Sequence, residues 1–195
     1  MDSFRSIGLN ENIRVVFAGF GSLGLSLLKA LLSAPEVATI VAVMPASNVK
    51  RYRFLEKHPA EIELLRLAKN NAIRILNAPS INSSQFLAEF DELEPHALQI
   101  GSWSEIIKPP TLQSLKGVPI INCHGSMLPK YRGACPCFAT IFNGDLQTGM
   151  TIHLIDEGID TGDILLQQKV DVEPGETAIE LDTRFPKNSV KRSFL

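Results

Sequence analysis

The chain has 195 residues, 45% of them hydrophobic and 21% charged, a size and balance that suit a single domain burying its own core without covalent staples. A formal net charge of −2 gives no global basic field, so a nucleic-acid partner has to be met by a local patch. No stretch is long and apolar enough for a membrane span, residues 1–10 lack the charged start and apolar centre of a secretory signal, and three cysteines do not make a disulfide framework; the expected compartment is the cytosol.

Residues 1–12 read as a polar N-terminal arm. Ile13 to Ala18, IRVVFA, is apolar and β-branched and predicts a buried strand. Gly19, Gly21 and Gly24 then follow in full G-x-G-x-x-G spacing at the start of an apolar helix, the form of a dinucleotide-binding turn. A nicotinamide unit needs an acid at the end of its second strand to hold the ribose. The second strand here, Val37 to Val43, runs into Met44-Pro45-Ala46. The glycines are therefore assigned to a tight turn and to close packing of helix on sheet, and no nicotinamide binding is expected.

Residues 45–58 break the apolar pattern and set Lys50, Arg51, Arg53 and Lys57 among Tyr52 and Phe54. Basic side chains between aromatics suit phosphate neutralisation with stacking, and they equally suit a solvated loop. A helix is predicted over Pro59 to Asn70, a short strand over Ala72 to Leu76, a helix over Ser83 to Leu93 and a strand over His96 to Ile100, which leads into GSWSEIIKPP. The alternation of strand and helix predicts an α/β fold, a Rossmann-like, mostly parallel sheet with helices on both faces.

The next apolar run, Gly117 to Ile121, predicts a strand that delivers Asn122 and His124 to a loop marked by Gly125, Pro129 and Gly133. Being two apart, their side chains leave an extended chain on the same side. An Asn amide donates a hydrogen bond without carrying charge, which suits a carbonyl oxygen gaining negative charge, and a His titrates near neutrality. A partner carboxylate is offered by Asp156, Glu157, Asp160 or Asp163, after the alternating strand Met150 to Ile155. His153 in that strand reads as a sheet-face residue. Cys123, Cys135 and Cys137 cluster around His124, but Cys-x-Cys is the wrong separation for a zinc knuckle and Ser126 stands where a zinc deaminase needs Glu. No metal is expected, and the thiols are assigned to packing. Pro136 to Phe142 predicts a helix, Asn143-Gly144-Asp145 a turn, Asp163 to Val170 a strand and Gly175 to Phe185 a last amphipathic helix. Residues 186–195 read as a polar tail, and no C-terminal barrel domain is expected after it.

Three parts of this chain resemble the folate-dependent formyltransferases: Asn122-Cys123-His124, the run Ser126 to Gly133 (SMLPKYRG), and Ile159-Asp160-Thr161-Gly162. The resemblance implies that residues 13–185 form a catalytic domain. It implies metal-free transfer of a formyl group from 10-formyltetrahydrofolate to a primary amine. Asn122 would then serve the oxyanion, His124 proton transfer, and Asp160 the orientation of His124. It further implies Gly101, Trp103, Ile106, Asp156 and Gly158 against the pterin, and Ser126, Leu128, Pro129 and Arg132 toward the acceptor, with Lys50, Arg51 and Arg53 added if the acceptor is a tRNA. Methionyl-tRNA is the favoured acceptor; a sugar-nucleotide amine, glycinamide ribonucleotide and a non-catalytic folate-binding role are the alternatives. An acid beside His124 is expected to favour its protonated form.

Overall fold

The computed structural model describes residues 12–50, 56–103 and 105–184. Among these, seven strands form one sheet in the order β3-β2-β1-β4-β5-β6-β7. The first five, β1 (Ile13–Gly19), β2 (Ala38–Pro45), β3 (Arg74–Ile75), β4 (Ala97–Gly101) and β5 (Ile120–His124), run parallel. Strand β6 (Gln147–Leu154) is antiparallel to β5, and β7 (Ile164–Asp171) is antiparallel to β6. The helices are α1 (Gly21–Leu32), α2 (Pro59–Asn70), α3 (Ser84–Glu92), α4 (Pro109–Ser114), α5 (Pro136–Phe142) and α6 over 178–184.

Alternation along β1 divides the core in two. Val15 and Phe17 pack with Leu23, Leu27 and Leu28 of α1 and Leu64 of α2, while Val16 and Ala18 pack on the other face with Phe86 and Phe90 of α3 and Leu115 beyond α4. Strands buried on both faces account for the near-continuous apolar runs. Local signals set the helix starts. The His58 ring accepts from the Ala60 N–H with Pro59 at the first position, Ser83 caps the Phe86 N–H, and Thr177 and Glu180 form a reciprocal capping box ahead of α6.

Several elements depart from the sequence reading, among them β6, which begins three residues before Met150, and α6, which begins three after Gly175. The strand predicted over Gly117 to Ile121 lies three residues later, because Gly117 sits in the left-handed region (φ +91°) and ends the turn after α4; Asn122 and His124 are thus strand residues. Helix α4 was not anticipated, since Pro109-Pro110 reads as a break, yet both prolines sit in a first turn, where no N–H is needed. The arm before Asn12, residues 51–55 and the tail from 185 lie outside the described residues.

The glycine turn is a steric device. Glycines on β1, α1 and β4 meet where strand order reverses: a Cβ on Gly24 would lie 2.7 Å from the Gly101 carbonyl oxygen, and one on Gly19 would overlap that same atom. The carbonyl also accepts from the Phe20 N–H at 3.1 Å. Helix α1 therefore lies directly on the sheet edge, and Gly21 (φ +67°) makes the turn.

Candidate active site

Asn122, His124, His153 and Asp160 converge beside the carboxyl end of β5. The register explains three of them: β6 lies against β5 with Asn122 opposite His153, and the two side chains meet at 3.1 Å, Nδ2 to Nε2. Asp160 arrives from the turn after β6, in a left-handed conformation (φ +49°) that is rare for a residue with a Cβ. Its Oδ2 accepts from the Gly133 N–H at 2.7 Å and lies 3.5 Å from His124 Nδ1, and its Oδ1 lies 3.5 Å from both Asn122 Nδ2 and His153 Nε2. One carboxylate thus serves both histidines and the amide.

Carbonyl partners assign the ring protons. His124 Nε2 is 2.8 Å from the Tyr131 main-chain oxygen, which only accepts, so Nε2 carries a hydrogen and Nδ1 is the basic atom of the neutral ring. His153 Nδ1 is 2.7 Å from the Leu154 oxygen, so its Nε2 is the acceptor and Asn122 must turn its amide nitrogen toward it. His153, set aside from sequence as a sheet-face residue, is 1% exposed and holds the amide of Asn122. The signal that finds it is strand adjacency, which one strand's alternation does not carry.

Burial and charge compete at this cluster. Burial lowers the pKa of His124, and the His153 ring adds to that; Asp160 and the Tyr131 carbonyl raise it, and the net direction is down. The neighbouring acid does favour the protonated imidazole, as expected, but desolvation outweighs it. For Asp160, burial pushes upward, but the neighbouring His153 ring, the Gly133 N–H and the His124 ring prevail, holding the carboxyl below its ordinary range.

The remaining predicted positions divide. Arg132 is exposed and donates from Nε to the Asp160 main-chain oxygen at 3.0 Å, and Pro129 is exposed beside it. Ser126 and Leu128 are turned inward: Ser126 is fully buried with its hydroxyl donating to the Lys130 oxygen at 2.6 Å, while Leu128 is buried and its N–H donates to Thr151 Oγ1 at 3.1 Å. Their side chains shape the loop rather than its outer surface. Asp156 Oδ1 accepts from the Gly158 N–H at 3.0 Å and from the Thr161 hydroxyl at 2.6 Å, and a Cβ on Gly158 would overlap that hydroxyl, so both residues are committed to the turn that presents Asp160.

On the β4 side, Gly101 pairs in register with Cys123 but is occupied by the α1 crossing. Trp103 is half-buried among the apolar residues of the second core, and its indole N–H is buried without a hydrogen-bond partner. Ile106, expected as a pocket wall, is 68% exposed, and Ile107 turns inward instead. The cause is Asn82, which holds the Ile106 carbonyl and the Lys108 N–H and so fixes the approach to α4. Lys50 and Lys57, after β2, are exposed; Arg51 and Arg53 lie outside the described residues. Cys123 is buried, which pushes its thiol up to about 12, and burial together with Asp182 does the same to Cys137. Among the described residues no group of three or more His, Cys, Asp or Glu is arranged to hold a metal ion, and no helix is long and apolar enough to cross a membrane.

Fold and site together define a doubly wound α/β protein with an Asn and a His that each contact one Asp at a parallel strand's carboxyl end. The formyl transferase family model matches residues 11–192, and the chain belongs to that family. Curated relatives include the methionyl-tRNA formyltransferase of Methylacidiphilum infernorum, 37% identical over 89% of this chain and 53% of the relative. That of Caldanaerobacter subterraneus is 34% identical over 89% of this chain and 55% of the relative. The chain spans about half the length of the curated relatives it matches. Among solved structures, glycinamide ribonucleotide transformylase 1 from Symbiobacterium toebii shares the fold with a TM-score of 0.76 at 19% identity, covering 96% of this chain and 90% of that one. Phosphoribosylglycinamide formyltransferase from Brucella melitensis gives 0.72 at 26%, covering 93% and 91%.

Proposed function

We infer that this chain transfers a formyl group from 10-formyltetrahydrofolate to a primary amine, and that the amine is the amino group of methionyl-tRNA. The observation that carries the transfer reaction is that the Asp160 carboxylate lies 3.5 Å from both Asn122 Nδ2 and His124 Nδ1 beside β5. The donor brings the electrophilic formyl carbon. A flat pterin needs apolar walls with a few hydrogen-bonding groups, and the half-buried Trp103 with its unpartnered indole N–H, one strand over from Asn122, fits that need.

The chain's own groups then divide the work. Asn122 Nδ2 is bonded firmly to His153 and only at 3.5 Å to Asp160, so its second hydrogen is free to move to the formyl oxygen as negative charge gathers there. His124 takes the proton of the attacking amine at Nδ1, since Nε2 is already committed to the Tyr131 carbonyl. The resulting imidazolium is stabilised by Asp160 at Nδ1 and Tyr131 at Nε2, and it returns that proton to the departing folate nitrogen. Arg132, fixed at Nε, keeps its terminal nitrogens toward solvent at the mouth, where the acceptor enters.

The names of the curated relatives support methionyl-tRNA as acceptor. The test is incubation with 10-formyltetrahydrofolate and, separately, methionyl-tRNA, glycinamide ribonucleotide and an amino-sugar nucleotide, with formylated product read by mass. Formyl-methionyl-tRNA is expected. Product on another amine alone moves the assignment to that acceptor, and folate binding without any product leaves a non-catalytic folate-binding relative.

A further inference from the structure

The contact that fixes the His124 tautomer comes from a residue in an unfavourable conformation. Tyr131 has φ +55°, a left-handed conformation unfavourable for a residue with a Cβ, so contacts elsewhere must hold it there. The holding groups are at its other end. The Tyr131 hydroxyl donates to Asp145 Oδ2 at 2.7 Å, and Lys130 Nζ donates to the same carboxylate at 2.9 and 3.2 Å while lying 5.3 Å from the centre of the tyrosine ring. The Lys130 side chain is 61% exposed and the Asp145 side chain 22%, so the phenol bond is the better shielded of the two.

Asp145 is itself anchored. It lies in the turn between α5 and β6, its N–H donates to the Thr140 oxygen at 3.2 Å, and the buried Thr140 hydroxyl reaches the Thr148 hydroxyl of β6 at 3.2 Å. A continuous set of contacts therefore runs from the start of β6 through Asp145 and Tyr131 to His124 Nε2. The backbone on either side of Tyr131 is tied separately, by the Ser126 hydroxyl on the Lys130 oxygen, the Lys130 N–H on the Met127 oxygen, and Arg132 Nε and the Gly133 N–H on Asp160; the phenol bond is the contact that holds the Tyr131 side chain.

Resting on the catalytic reading of His124, we propose that Asp145 is a positioning residue: by holding the Tyr131 side chain it aims the Tyr131 carbonyl at His124 and keeps the basic nitrogen of the imidazole, Nδ1, on the side of Asp160. The ionisable groups facing His124 are Asp160 from the turn after β6 and His153 from β6; those facing Asp145 are Lys130 and Tyr131. The Tyr131 carbonyl is one of the contacts that raise the His124 pKa, so loosening it lowers that pKa further while Asp160 and His153 stay in place.

The experiment is an imidazole NMR titration of the intact chain. Its four histidines are resolved by the signal lost in His124→Ala. In Asp145→Ala and in Tyr131→Phe the His124 midpoint falls by about half a pH unit, and the fraction of ring carrying its proton on Nε2 drops. Turnover falls about tenfold with the donor KM unchanged, and Asp145→Asn, which still accepts from the phenol, recovers most of both effects. Lys130→Met leaves both readouts at parent values. Tyr131→Phe removes one hydroxyl only, so it decides the matter if Asp145→Ala does not fold. A His124 midpoint and tautomer unchanged in Tyr131→Phe overturn the proposal, as does a loss of turnover without either shift. Full turnover in His124→Ala overturns the catalytic reading instead and leaves the NMR result standing.

Discussion

Two regions of this molecule follow a parallel strand and carry a sequence motif, yet they differ in what their residues lack. In the turn between β1 and α1 every motif residue is a glycine, and the missing side chains are explained in full: Gly19 and Gly24 make room for the Gly101 carbonyl, and Gly21 supplies a left-handed turn. At the end of β5 the reverse holds. His124 and His153 are buried polar groups where apolar ones would pack, and their contacts are with Asp160, with main-chain carbonyls and, for His153, with Asn122. Burying such groups is costly without partners, and here Nδ1 of His124 and one Asn122 hydrogen have only long, 3.5 Å contacts with Asp160. A motif exhausted by packing is architecture, and one that packing does not require is a site.

Substitutions break the two regions in different ways. The largest effect is expected from His124→Ala and Asp160→Asn, each lowering turnover at least about a hundredfold with little change in thermal midpoint, as for loss of a positioned proton-transfer group; steady-state assay with circular dichroism on the same samples checks it. Asn122→Ala loses about 3 kcal/mol of transition-state stabilisation, seen as a fall in kcat at unchanged donor affinity. Gly24→Ala acts on stability instead: its Cβ meets main chain at 2.7 Å, and overpacking of that kind costs about 1–3 kcal/mol in denaturant unfolding. Gly21→Ala meets no neighbouring atom and costs only its strained φ, about 1 kcal/mol.

The smallest expected effect is in pH dependence. With His124 held below its ordinary value, the acid limb of the rate has its midpoint below that of an ordinary imidazole. Asp160→Asn removes a contact that raises that pKa, so the residual acid limb moves lower still. The sign for stability agrees. The unfolded imidazole takes up a proton before the folded one does, so the contribution of neutral His124 is complete above about pH 6.5 and fades as pH falls toward the folded value.

The parts of this picture that were legible in the chain share a physical basis. Alternation and punctuation located the β1, α2 and α5 segments, and two-residue spacing put Asn122 and His124 on one side of β5, because these are short-range consequences of backbone geometry. What was not legible depends on which strands become neighbours. His153 enters the cluster only because β6 reverses direction beside β5. The inward turn of Ser126 and Leu128 depends on Thr151, which lies 25 and 23 residues away along the chain. Ile106 and Ile107 exchange roles through Asn82, more than twenty residues earlier. Arg51 and Arg53 remain a reading of composition alone.

Cys135 gives the experimenter a handle. It caps the start of α5 in a left-handed conformation with its side chain exposed, three positions after Arg132, while Cys123 and Cys137 are buried with thiols pushed up to about 12. A thiol-reactive dye at neutral pH should therefore attach at one place without any engineered cysteine. The label would stand at the rim of the cluster, on the loop that also carries Tyr131, so its emission would report acceptor arrival directly and in real time, on unmodified sequence.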